Sequence, residues 1–349
     1  MAETTQMFSD VLKQYNISAG DFEISPIGSG YIHQTYLLNG VQKLVLQRVN
    51  KKVFKEPDVI ASNLEIASTH LARSHPEYLF LTAVPTATGE QMARDDEGFP
   101  WRIFPYFENT YTVDKVDSIT QAFSAAAEFA RLTRYLADVP VQLFKPTIER
   151  FHDLTWRFEQ FEEALVNGMA ERKESAAEVI DSARRYQFLA RQYHDLIEGG
   201  VLKLRVTHND TKINNILFDA STDKAVTAID LDTLMPGYFI YDIGDMIRTF
   251  VSPVDEEEAD LDKIIVRPEI YSAIVDGYLS QMGDYLSAAE KQQIPFSGMM
   301  MTYIMALRML TDYLNGDVYY KIRYEGQNLR RAKNQFRLLD ALKDFTGGR

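Results

Sequence analysis

Apolar residues at Phe8, Val11, Leu12 and Tyr15 recur at the three- and four-residue spacing of one helical face, so the chain is expected to open with an amphipathic helix. The period then shortens to that of strands. Phe22-Glu23-Ile24, Gln34-Thr35-Tyr36-Leu37-Leu38 and Lys43-Leu44-Val45-Leu46-Gln47-Arg48-Val49 read as short strands, and Asn39-Gly40 between the last two is a hairpin signal. Pro57-Asp58 opens a second helical pattern through Val59, Ile60, Leu64, Ile66 and Leu71, with proline at a first-turn position. Further strands are expected over 79–84 and 101–107.

From about Val113 the helical period takes over, over 119–136, 151–166 and 176–197. A strand-rich island interrupts it: Leu204-Arg205-Val206-Thr207, Ile216-Leu217-Phe218 and Ala225-Val226-Thr227-Ala228-Ile229. Long helices then run to the C-terminus. A small β-rich N-terminal lobe, residues 1–108, joined to a larger, mostly helical C-terminal lobe, residues 109–349, is an α+β plan. The boundary is expected between Phe104 and Val113.

Composition narrows this little. The 349 residues include 46% hydrophobic ones, enough for two lobes with a sizeable core. Lys and Arg number 37 against 50 Asp and Glu, a net charge of −13. An acidic chain repels a phosphate backbone, so no nucleic-acid partner is expected. Cysteine is absent, which excludes disulfides, Cys-zinc sites and a thiol nucleophile. The opening Met1-Ala2-Glu3-Thr4-Thr5-Gln6 lacks the basic and apolar regions of a secretory signal. The longest apolar run, Gly298 to Leu307, is about half the ~20 residues a membrane span needs. A cytoplasmic protein with no membrane association is the expectation.

The chemistry lies in the island, which reads His208-Asn209-Asp210-Thr211-Lys212-Ile213-Asn214-Asn215-Ile216-Leu217-Phe218-Asp219 and then Ala228-Ile229-Asp230-Leu231-Asp232. An Asp, a Lys two residues on, an Asn five residues on and an Asp closing an apolar strand form an ordered set. Phosphoryl transfer needs such groups: a carboxylate to orient the attacking hydroxyl, oxygen ligands for magnesium, and a cation for developing charge. The bland alternative is a loop whose Asp and Asn residues cap turns. Upstream, Ile27-Gly28-Ser29-Gly30-Tyr31-Ile32-His33 lies between two expected strands, where glycines let backbone amides approach phosphates. Gly-Ser-Gly also makes ordinary hairpin turns; its position ahead of the island favours the phosphate-covering reading.

The island resembles the catalytic loop and metal site of the protein-kinase-like superfamily, and more closely the aminoglycoside phosphotransferase and choline kinase branch, where His-x-Asp-x-x-x-x-Asn is followed by an Ile-Asp strand. Wider wording is similar to N-acetylhexosamine 1-kinases: the island through Thr233-Leu234-Met235-Pro236-Gly237, Leu46-Gln47-Arg48-Val49-Asn50, and Leu307-Arg308-Met309-Leu310-Thr311-Asp312-Tyr313-Leu314-Asn315-Gly316-Asp317. The resemblance implies a two-lobed protein-kinase-like fold whose N-terminal lobe is a nucleotide-binding sheet. It implies ATP- and Mg2+-dependent phosphorylation of the anomeric hydroxyl of N-acetylglucosamine or N-acetylgalactosamine. Either a monomer or a homodimer is compatible with the sequence. By the resemblance Asp210 matches the catalytic Asp, Lys212 the lysine two residues after it, and Asn215 and Asp230 the magnesium ligands.

Gly28, Ser29 and Gly30 would then cover the phosphates, with adenine at the lobe junction near Tyr106 and Phe107. The third strand departs from the kinase pattern: it offers Gln47 and Arg48 in place of a lysine, with Lys43 at the strand entrance. Arg48 is either the substitute or an outward-facing charge, and Glu65 either its acidic partner or an exposed helical residue. Asp242 is expected as a helix cap that braces the loop, and Asp232 as a second metal contact or a turn acceptor. Arg308 is embedded in an apolar helix and needs a partner; it either pairs with Asp312 one turn on or reaches the substrate. His33 is a substrate contact or a surface residue. The acidic run Asp255-Glu256-Glu257-Glu258-Ala259-Asp260 is expected on a solvated loop. Two other functions remain open: a kinase of another small alcohol such as choline, homoserine or an aminoglycoside, and a non-catalytic kinase-fold binding module.

Overall fold

The computed structural model describes residues 2–28 and 32–347. In chain order the elements are α1 (Ala2–Lys13), β1 (Glu23–Pro26), β2 (Gln34–Asn39), β3 (Lys43–Arg48), α2 (Pro57–Ser74), β4 (Ala93–Arg94), β5 (Pro100–Pro105), β6 (Thr110–Tyr111), α3 (Ile119–Tyr135), α4 (Leu154–Asn167), α5 (Ala170–Ser175), α6 (Ala177–Arg185) and α7 (Phe188–Glu198). They continue with β7 (Leu204–Thr207), β8 (Ile216–Asp219), β9 (Ala225–Ala228), β10 (Met235–Tyr238), α8 (Phe239–Phe250), α9 (Pro268–Met282), α10 (Ala288–Lys291), α11 (Ile294–Leu314) and α12 (Gln327–Thr346). This is the expected α+β plan.

The N-terminal sheet has the order β1-β2-β3-β5-β4, every neighbouring pair antiparallel. Phe8, Val11, Leu12 and Tyr15 of α1 are all buried against Leu38, Leu44, Leu46, Trp101 and Ile103 of that sheet, so the helical stripe faces a core. The β2–β3 hairpin forms, but Asn39 itself pairs with Lys43, leaving residues 40–42 as the loop in place of a two-residue Asn-Gly turn. A Cβ on Gly40 would lie 2.6 Å from the carbonyl of Asp21; packing against that segment selects glycine here.

The strand expected over 79–84 does not form. Val84 makes a single bridge to Ile103, and Pro85, which has no N–H to donate, follows it. The helix expected over 176–197 is broken into α6 and α7, with Tyr186 as the C-cap of α6 and its hydroxyl bonded to Asp340 of α12 at 2.5 Å.

The larger core gathers α3, α8, α9 and α11, with α2 packed onto it through Ile60, Leu64 and Leu71. Two small sheets stand at its edge: β7 pairs with β10, and β6-β8-β9 form the other. β7 leads into the island and β9 ends just before Asp230, so sheet ends place both halves of the motif together.

Candidate active site

β7 carries the chain into the turn at His208, Asn209 and Asp210, and buried groups fix that turn from three sides. Asp242 accepts the amides of His208 (3.1 Å) and Asn209 (2.8 Å), while its carbonyl accepts from the Thr211 hydroxyl (2.7 Å). Burial pushes the Asp242 carboxyl up to about 6, against the lowering effect of His208 and the two amides. The expected helix cap is thus a loop cap: the N-cap position of α8 is Tyr238.

Asn209 takes the left-handed backbone region at φ 65°. Its amide nitrogen donates to the carbonyls of Thr207, Thr233 and Met235 at 2.9, 2.9 and 3.3 Å. Gly237 backs this arrangement, since a Cβ there would lie 2.1 Å from Thr207 Oγ1 and 2.6 Å from Asn209 Oδ1. His208 bonds the carbonyl of Ile229 through Nε2 at 2.9 Å, so that Nε2–H donates and Nδ1 accepts the Asp210 amide at 3.3 Å.

Asp210 is thereby presented with its carboxylate 20% exposed and 2.9 Å from Lys212 Nζ. The Asn215 amide nitrogen donates to the Asp210 carbonyl (2.8 Å) and carboxylate (3.2 Å). Burial would raise the Asp210 carboxyl, but Lys212, His208 and Asn215 outweigh it and hold it below the usual carboxylate range. It is an ionised acceptor. Lys212 is raised above an ordinary lysine, chiefly by Asp210, and is cationic at any physiological pH.

Asp230, two residues beyond β9, also takes the left-handed region at φ 57°. Desolvation in the cleft, then Asp232 and Asp210, push its carboxyl up to about 6, against His33 and Arg102. His33, Asp230 and Asp232 each offer a ligand atom within 4.8 Å of one another. With the Asn215 nitrogen committed to Asp210, its amide oxygen is the end left to a cation. Carboxylate and amide oxygens beside an ionised Asp210 are a donor set that fits magnesium.

The family model described as "Phosphotransferase enzyme family" matches residues 23–290. The chain belongs to that family. Its fold is shared with a microcompartment-associated aminopropanol kinase, at TM-score 0.66 and 16% identity over 99% of this chain and 98% of the other. An amicoumacin kinase in complex with AMP-PNP and Ca2+ matches at TM-score 0.64 and 14% identity, over 97% and 93% of the two chains. A choline/ethanolamine kinase family protein from Mesorhizobium loti matches at 0.59 and 13%, over 98% and 94%.

In this phosphotransferase the strand cation is not where the sequence pattern looked for it. Arg48 is taken up by Asp95 (3.0 Å) and Glu97 (2.9 Å) over the face of Phe99. Lys43 pairs with Glu108 and lies over the ring of Tyr106, while the Phe107 carbonyl accepts from Thr110. Glu65 is exposed, and α2 instead turns Asn63 inward to bond Lys145 and the carbonyl of Leu234. Ser29 and Gly30 lie outside the described residues; Gly28 has φ 81°.

The cation that does face the site is Arg102 of β5, 2% exposed, with Nη2 2.6 Å from Asp232. His33 Nε2 approaches the other oxygen of Asp232 at 2.9 Å, its Nδ1 accepting from the Asn50 amide and its ring stacked on Phe54. Burial would raise Asp232; Arg102 and His33 outweigh it and hold the carboxyl at about 2. Asp232 is therefore an ion-pair partner and not a turn acceptor. A charged residue in the apolar strand Pro100–Pro105 was the sequence signal for Arg102.

α11 meets the loop through Phe151, whose neighbour His152 bonds the carbonyl of Asn209 at 2.7 Å. Arg308 lies over Phe151 (5.3 Å), Tyr319 (5.7 Å) and Tyr320 (5.6 Å) and reaches the Tyr319 hydroxyl at 3.4 Å. Among the described residues no carboxylate pairs with it. Asp312 is committed elsewhere, accepting the amides of Tyr319 (2.7 Å) and Tyr320 (2.9 Å) and the Asn328 side chain (2.9 Å). The acidic run is only partly solvated: Glu256 pairs with Arg331 and Arg248, and Glu257 with Arg330. Among the described residues no helix is long and apolar enough to cross a membrane.

Proposed function

We propose that this phosphotransferase transfers the γ-phosphoryl group of ATP to the anomeric hydroxyl of an N-acetylhexosamine, giving the sugar 1-phosphate. The observation that carries the reading is the environment of Arg308. Choline recognition needs free aromatic faces for a quaternary ammonium, and here the faces of Phe151, Tyr319 and Tyr320 already hold a guanidinium. A cationic aminoglycoside would bring like charge to the same wall. A neutral, polyhydroxylated acceptor uses Arg308 as a hydrogen-bond donor.

Asp210, ionised and held by the loop, orients the sugar hydroxyl and accepts its proton. Lys212 neutralises charge that develops on the transferring group. Asn215 and Asp230 would hold magnesium, which when bound neutralises charge on the phosphate oxygens. Gly28 stands at the phosphates, Tyr106 and Phe107 border the adenine, and Arg308 contacts the sugar; His33, expected as a substrate contact or a surface residue, instead has both ring nitrogens taken up by Asp232 and the Asn50 amide. The amicoumacin kinase in complex with AMP-PNP and Ca2+ supports the use of a nucleotide and a divalent cation on this fold.

The test is magnesium-dependent ADP release across N-acetylglucosamine, N-acetylgalactosamine, neutral sugars, choline, ethanolamine, homoserine and aminoglycosides. Turnover confined to the N-acetylhexosamines, with a product phosphorus signal coupled to the anomeric proton, is the expected result. Turnover with an amino alcohol or aminoglycoside but with no sugar would overturn the reading.

A further inference from the structure

We propose that Arg102, on β5, is the residue that binds the phosphates of the nucleotide, in the place a third-strand lysine would fill. The inference rests on the nucleotide-dependent reading above, but not on the identity of the acceptor.

Register is the first argument. On the antiparallel β3–β5 pair, Gln47 stands directly opposite Arg102. Directly opposed side chains project to the same face and their Cβ atoms lie about 5 Å apart. A cation at Arg102 therefore serves the space that a cation at Gln47 would serve. Gln47 carries no charge, and its amide oxygen accepts from Arg102 Nε at 2.9 Å and also from Nη2, while its amide nitrogen donates to Thr35 at 3.1 Å. The third-strand residue has become a support for its neighbour.

Donor accounting is the second. Arg102 Nε and Nη2 are committed to Gln47 and Asp232, but Nη1 is buried with no partner. A buried, unpaired guanidinium N–H is costly, and a guanidinium presents its donors as a planar fork suited to phosphate oxygens. Charge points the same way. Asp210, Asp230 and Asp232 would repel a nucleoside triphosphate, so cations must stand among them. Arg48, the other strand candidate, is held by two carboxylates, Asp95 and Glu97, whereas Arg102 has the one, Asp232.

The test uses the full chain, with isothermal titration of ATP, ADP and adenosine in the presence of Mg2+. Arg102→Met is expected to weaken ATP and ADP binding by about tenfold or more, the scale of a lost charged hydrogen bond. Adenosine, which has no phosphate, should be affected by about twofold at most on that argument. Restoring a lysine on the third strand, as Gln47→Lys in the Arg102→Met background, should recover most of the ATP affinity. Arg102→Lys keeps a charge beside Asp232 and gives an intermediate loss; it carries the comparison if Arg102→Met does not fold. Wild-type ATP affinity in the folded Arg102→Met protein would overturn the proposal. So would an equal loss for adenosine, which would make Arg102 a structural residue, or a loss that follows Arg48→Met instead. The two readings fail separately: an acceptor panel without sugar turnover leaves Arg102 standing when ATP still binds, and unchanged ATP affinity in Arg102→Met leaves the sugar assignment standing.

Discussion

His152 Nε2 lies 2.7 Å from the backbone carbonyl of Asn209, the residue whose left-handed turn presents Asp210. The ring is buried, tilted against Phe151 and Tyr241. A carbonyl accepts, so Nε2 carries the proton, and His152 acts on catalysis only by holding the loop.

That contact makes folding stability pH-dependent in a stated direction. Burial, helped by Arg308, lowers His152 from 6.5 to about 4, against the Asn209 carbonyl, Asp245 and Asp210. The folded state favours the neutral ring, so the stabilisation is complete above pH 6.5 and is lost as pH falls through 4. At 1.36 kcal/mol per pKa unit it amounts to about 3 kcal/mol. Asp230 and Asp242, both raised to about 6, titrate over the same range in the opposite sense, so the His152 contribution is read as the difference between wild type and His152→Gln, whose amide can still donate. In urea titrations between pH 7 and 4 the wild type should lose about 3 kcal/mol relative to the variant; parallel pH profiles for the two proteins would show that His152 does not titrate as stated.

Gly237→Ala tests the backing of the loop directly. A methyl group there would meet Thr207 Oγ1 at 2.1 Å and Asn209 Oδ1 at 2.6 Å, two atoms already bonded to each other at 3.1 Å. One of them must move, and Asn209 moves with it. Overpacking of this kind costs roughly 1–3 kcal/mol. Thermal unfolding should shift down, and kcat should fall more than either KM.

How much of this was legible in the sequence depends on the distance along the chain over which each contact acts. Asp210, Lys212 and Asn215 fall within six residues, and local backbone brings them together; their spacing alone was informative. Asp230 followed because β8 and β9 form one hairpin. Arg102 was missed because its partners, Gln47 and Asp232, are set by strand register and by contact across the cleft. A charge in an apolar strand announces that a partner exists without saying where. The same limit explains Arg308, for which helical spacing suggested Asp312, while the segment after α11 returned to claim that carboxylate for the amides of Tyr319 and Tyr320. The expected strand over 79–84 was apolar enough to read as one, but Pro85 and a one-residue bridge ended it.

Asp210→Asn keeps the shape of the loop and removes the proton acceptor. Loss of a positioned general base lowers kcat by about 10²–10⁴-fold. The ATP KM should change by only a few-fold at most, because the residues proposed for the adenine and phosphates are Tyr106, Phe107 and Arg102 and not Asp210. Single-turnover phosphoryl transfer to N-acetylglucosamine measures the step directly; near-normal turnover would remove Asp210 from the mechanism.

Asp312 makes the last prediction, through the two tyrosines it holds. Its carboxylate is buried and accepts two successive backbone amides, those of Tyr319 and Tyr320, together with Asn328 Nδ2. Tyr319 and Tyr320 in turn form the aromatic faces on which Arg308 rests. Asp312→Asn removes the charge and turns an N–H toward one of those amides, with a loss of about 1.5–3 kcal/mol for a charged hydrogen bond. The loosened segment frees Arg308, so the acceptor KM should rise by roughly tenfold. On the proposed role of Arg102 the ATP KM should hold, because Arg102 is held by Gln47 and Asp232, whereas Asp312 is bonded to Tyr319, Tyr320 and Asn328. Initial rates with both substrates varied separate the two constants. A parallel rise in both would mean that Asp312 supports the whole C-terminal lobe and not the acceptor wall.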